Sequence, residues 1–87
     1  MPKFRKKPVV IEAVQVTATA EAKIFEFVGG SVEAFDTNSK GLASLSIKTL
    51  EGTMTAGLGD WIIKGVKGEF YPCKDDIFRM TYDEVEE

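Results

Sequence analysis

Two β-rich runs, WIIKGV and EFYPCK, meet at Lys67-Gly68, and this junction constrains the fold more than any other part of the chain. A two-residue turn there pairs Val66 with Glu69, Gly65 with Phe70, Lys64 with Tyr71, Ile63 with Pro72, Ile62 with Cys73 and Trp61 with Lys74. Directly opposed residues share a face. One face then carries Trp61, Ile63, Gly65, Phe70 and Pro72 and is expected to be core, with the Phe70 ring covering the bare backbone at Gly65. The other carries Ile62, Lys64, Val66, Glu69, Tyr71 and Cys73. Pro72 has no N–H to give to a ladder, so its strand is expected at an edge or a bulge.

The remaining segments predict more strands and one helix. Residues 8–16, PVVIEAVQV, are β-branched and apolar on both faces, which suggests a central strand beginning at Pro8. Thr17 or Thr19 is placed to cap a helix running to Val28, with Ile24, Phe27 and Val28 on one side. Gly29 and Gly30 supply a left-handed stop. Residues 31–35 alternate as a strand, residues 36–41 form a polar loop, and residues 42–50 form a strand with Leu45, Ile47 and Thr49 facing one way. Glu51-Gly52 signals a hairpin turn, and Gly57 with residues 58–60 the next one. Asp75 or Asp76 caps a short helical turn near residues 76–80, and residues 81–87 form a last short strand or a tail. The expected fold is therefore α+β: one antiparallel-rich sheet of about five strands with the first helix packed on a face.

Eighty-seven residues point to a single domain with a modest core. No segment approaches the roughly 20 apolar residues of a membrane span. Glu12 and Gln15 interrupt the apolar run after the basic start, so this start is read as mature protein rather than a signal peptide. One cysteine fits a reducing cytoplasm. Charge is uneven: Lys3, Arg5, Lys6 and Lys7 open the chain, and Asp83, Glu84, Glu86 and Glu87 close it. Both ends are read as solvated, drawn together if they meet on adjacent strands. The net charge of −3 argues against duplex nucleic acid, whose binding depends on many neutralised phosphates.

The segments FRKKPVVIEAVQV and GDWIIKGVKGEFYPCKDDIF resemble a family of small phage and prophage proteins. These begin with a KKPVxxEA segment and end in a PGDWIIxGxxGExYPCKPDIFxxTY block. The resemblance covers about forty residues at the two ends; residues 31–56 lie outside it. The chain departs at Leu58 and Asp75, where the family usually has proline, and at Val16, where tryptophan often stands. The resemblance implies origin and context: a phage-encoded protein acting in the bacterial host cytoplasm, with no enzyme activity attached.

No histidine is present, so triads and histidine-metal sites are excluded within one chain. One cysteine cannot build a structural zinc site, and GVKG is a hairpin rather than a phosphate loop. Asp75-Asp76 is read as a helix cap and Cys73 as a packed thiol. The expectation is a non-enzymatic binding protein without cofactor or metal. One reading is sequestration of an anionic, nucleotide-like signal of host defence by Lys64, Tyr71, Lys74 and Arg79, cations meeting phosphate and a ring meeting a base. Another is a module that inhibits or redirects a host protein through the hairpin or an exposed strand edge. A structural or virion accessory role is a third. A site between the subunits of a homo-oligomer suits so small a chain.

Overall fold

The computed structural model describes residues 1–5 and 9–85. Its elements are β1 (Glu12–Gln15), α1 (Glu21–Val28), a 3-10 turn (Gly29–Ser31), β2 (Val32–Asn38), β3 (Gly41–Thr49), β4 (Gly52–Gly57), β5 (Trp61–Lys64), β6 (Phe70–Cys73) and α2 (Asp75–Thr81). The fold is α+β and mostly sheet. Among the described residues there are six strands in two antiparallel sheets, β1-β5-β6 and β2-β3-β4, instead of one sheet of about five. Pro8 as a strand start, and the charges of Lys6, Lys7, Glu86 and Glu87, lie outside the described residues. No helix among the described residues is long and apolar enough to cross a membrane.

The division into two sheets arises at residues 57–60. Asp60 N–H bonds Gly57 O at 3.1 Å, Gly59 sits at φ +91, and Asp60 Oδ2 accepts Gly57 N–H at 3.0 Å. Positive φ at the third position is the mark of a type II turn, which favours proline at the second, the place of Leu58. The turn then docks on the chain just after β1: Gly59 N–H donates to Val16 O and Val16 N–H to Asp60 O, each at 2.8 Å. β5 is thereby laid beside β1, not beside β4. The first strand, expected to be central, is consequently a four-residue edge strand, and β5 takes the centre.

The β5-β6 hairpin has a different register from the one expected. Gly65 N–H bonds Glu69 O at 2.7 Å, Gly68 N–H bonds Gly65 O at 3.0 Å, and Gly68 has φ +81. This is a three-residue loop, a tight turn followed by one left-handed residue. A two-residue type I′ turn would need Lys67 at positive φ as well, a conformation that side chains disfavour. The extra loop residue places Trp61 opposite Cys73, Ile62 opposite Pro72, Ile63 opposite Tyr71 and Lys64 opposite Phe70. A slip of one residue exchanges faces. Ile62 and Phe70 therefore face the core, while Trp61, Ile63, Tyr71 and Cys73 share the opposite face. Pro72 does lie on an edge strand, as its missing N–H requires.

The core joins the inner faces of both sheets to α1. Val16, Ile24, Val28, Leu42, Leu45, Ile47, Ala56 and Ile62 form one buried cluster, with Val14, Phe27, Val32 and Phe70 packed against it. The α1 stripe of Ile24, Phe27 and Val28 is as expected. Its start is not: the N-cap is Ala20, without a side-chain cap bond. Gly29 has φ +61 but ψ −129, outside the left-handed helical region, and the chain continues into the 3-10 turn. β2 is longer than expected and runs through the supposed loop to a tight turn at Ser39-Lys40, with Asn38 Oδ1 accepting Lys40 N–H at 2.9 Å. Leu42 and Leu45 are both buried, although alternation would separate them. The register passes from Asp36–Ser44 to Thr37–Leu42, leaving Ala43 as the extra residue of a bulge that turns Leu42 inward.

Candidate functional site

The four expected ligand residues do not form one cluster. Lys64 is exposed at the end of β5, between Glu12 on β1 and Phe70 on β6. Tyr71 belongs to the opposite face, so the cross-strand pair expected from a two-residue turn is not made. Lys74 is the N-cap of α2, and its Nζ lies 3.1 Å from Oδ2 of Asp60, which is itself buried. Arg79 Nε lies 2.9 Å from Asp75 Oδ1. Two of the three cations are thus already paired. Tyr71 borders a hollow of about 320 Å³ whose charged lining groups are Glu51 and Glu69, a poor setting for an anion.

The outer face of the first sheet is covered by α2. Phe78 stacks on Trp61 with ring centroids 4.2 Å apart and planes 9° apart, and Tyr82 follows at 5.2 Å from Phe78. Asp75 pins this contact: its Oδ1 accepts from Trp61 Nε1 at 2.8 Å and from Gln15 Nε2 at 3.4 Å, besides Arg79. Neither Asp75 nor Asp76 is the helix cap; both stand in the first turn, where a carboxylate suits the helix dipole. The bond from Trp61, helped by Arg79 and opposed by partial desolvation, holds the Asp75 carboxyl below its ordinary range. Burial, then the Tyr82 hydroxyl, push the Tyr71 phenol up to about 12. Burial, with Asp60 and Asp76 nearby, also raises the Cys73 thiol, which therefore stays protonated and weakly nucleophilic.

A lowered carboxyl pKa stabilises the folded state above the unfolded value of about 3.9 and stops doing so as pH falls through the folded value. Acid should accordingly loosen α2. In an NMR titration Asp75 should titrate below ordinary aspartates, and in Trp61→Phe, which keeps a ring for Phe78 but removes the indole N–H, its midpoint should rise. An unchanged midpoint would mean that the indole bond does not hold the carboxylate.

The larger concavity follows the edge of β1. It measures about 760 Å³ and has residues 9–14 along its floor. Phe27 of α1 contributes one wall; Phe78, Tyr82 and Val85 contribute the other, with Trp61 below. Its charged side chains are Glu12, Asp83 and Glu84 against Arg79, which is paired with Asp75. Val9 and Val10, in line with β1, are 47% and 79% exposed. A strand edge with an apolar approach, two lips and an acidic rim is suited to receive an extended chain.

Of the charged groove residues, the sequence reading gives a binding role to Arg79 alone. By sequence, residues 9–11 read as part of a central strand and residues 82–85 as part of a tail or short strand. The signal was the apolar character of residues 9–11 on both faces, which fits an edge strand lacking a partner as well as a central one. Among the described residues no group of histidine, cysteine or acidic side chains is arranged to hold a metal ion. Comparison with known proteins found no matching family model, no matching curated protein and no matching solved structure.

Proposed function

We propose that this chain is a small, phage-encoded, non-enzymatic protein-binding module of the bacterial host cytoplasm, which takes an extended basic and apolar segment of another protein into the groove along β1. The observation that carries this reading is the edge position of β1 at the floor of a groove walled by Phe27 and by Phe78, Tyr82 and Val85. Strand addition draws affinity from main-chain hydrogen bonds and specificity from alternate side chains. Glu12, Asp83 and Glu84 set the preferred charge. Sequestration of an anionic nucleotide draws less support from this geometry, because Lys64 and Tyr71 point to opposite faces and Lys74 and Arg79 already hold carboxylates.

Trp61, the only tryptophan, lines the groove and reports its occupancy. Short peptides alternating Lys or Arg with Val or Phe should change its fluorescence saturably. Asp83→Lys with Glu84→Lys should weaken the effect at least about five-fold, as two reversed surface charges would. Acidic peptides should be silent. If basic peptides leave Trp61 unchanged while nucleotides raise the melting temperature, the sequestration reading replaces this one.

A further inference from the structure

We infer that in the free protein the groove along β1 is filled by the N-terminal arm of a second copy of this chain. The inference rests on the reading that the groove takes an extended basic and apolar segment, and it names that segment. Residues 1–5 carry no regular structure, and their apolar side chains lie away from their own core: Met1 is 113% and Phe4 92% exposed. A ring so exposed gains apolar burial on entering a groove with aromatic walls. Its neighbours match the groove in charge. Lys3 and Arg5 flank Phe4, and Lys6 and Lys7 follow in the sequence, while Glu12, Asp83 and Glu84 stand on the rim. In an extended chain Phe4 points opposite to Lys3 and Arg5, so a ring and two cations are presented to different sides of the strand. The groove offers aromatic walls and carboxylates to meet them.

Exchange between two copies closes the arrangement. Each arm adds to β1 of the other copy, both grooves are filled, and the two contacts are equivalent about a two-fold axis. Val9 and Val10 on the floor become covered by the partner's arm. A host protein segment of the same chemistry then competes with the arm for the groove, so partner binding separates the two copies.

Sedimentation and light scattering of the full chain across about 1–500 µM should show a concentration-dependent dimer, weaker at about 0.5 M salt than at about 0.05 M because the charge attraction is screened. Phe4→Asp should raise the dimer dissociation constant at least about ten-fold. Lys3→Glu with Arg5→Glu should do the same. All three positions are exposed in the single copy, so the melting temperature at dilute concentration should stay within a degree or two of the parent. A strict monomer at every concentration overturns the inference, as does a dimer indifferent to these changes. A synthetic peptide of residues 1–7 added to Phe4→Asp protein separates this inference from the reading beneath it. The inference requires the peptide to change Trp61 fluorescence. If it fails while other basic, apolar peptides bind, only the second-copy assignment falls; if none binds, the groove reading falls with it.

Discussion

Ile62→Ala is expected to destabilise the protein by about 2–5 kcal/mol, as truncation of a fully buried aliphatic side chain does. Ile62 is 0% exposed on the central strand of its sheet and belongs to the cluster that joins β5 to α1 and to the other sheet. Its loss removes buried methyl groups from the cluster that also holds Leu45, Ile47 and Ile24. For a domain of this size each kcal/mol is worth roughly 4–8 °C, so the melting temperature should fall by at least about 8 °C. Total stability of ordinary domains is only about 5–15 kcal/mol, so partial unfolding at 37 °C is within reach. The experiment also tests the hairpin. With a two-residue turn at Lys67-Gly68, Ile62 would share a face with Tyr71 and Cys73 and be remote from that cluster. Lys64→Ala, at an exposed position, should move stability by no more than about 0.5 kcal/mol. A loss in thermal unfolding no larger for Ile62→Ala than for Lys64→Ala would place Ile62 outside the core.

Gly41→Ala should cost at least about 3 kcal/mol. Gly41 has φ +125, a conformation that costs a side chain on the order of 1–3 kcal/mol by itself. A Cβ there would also run into the Ala18 carbonyl oxygen, well inside van der Waals contact. That oxygen is held in place by Leu42 N–H at 3.0 Å, the bond that ties the segment before α1 to the start of β3. Backbone cannot swing aside as a side-chain tip does, so either the bond or the turn must give. Gly52 supplies the control. It has φ +109 but open space around the position a Cβ would take, so Gly52→Ala should show the conformational strain alone. Urea unfolding of both variants isolates the steric part. Equal losses would mean that the Ala18 carbonyl yields to the new side chain without cost.

Features set by local chemistry are legible along the chain. The i, i+3, i+4 spacing of Ile24, Phe27 and Val28 placed the α1 stripe, alternation put Leu45 and Ile47 on one face, and glycines marked the turn at residues 57–60 and the hairpin loop that ends at Gly68. Pro72 located an edge because a missing N–H is a property of one residue. The candidate groove was less legible. Its apolar floor could be read in residues 9–11, but whether β1 is central or an edge depends on what pairs beside it. That was settled some forty residues later in the chain, where the Gly57–Asp60 turn bonds Val16 and sets β5 against β1. The hairpin register depended on the φ of a single residue, Lys67, which both turn types accommodate in sequence but only one accommodates sterically. Asp75, an expected helix cap, became the acceptor for Trp61 because the register turned that indole outward. Tertiary structure decided these points because a strand's face, an edge's partner and a carboxylate's donor are each fixed by backbone from elsewhere in the chain, which no local periodicity records.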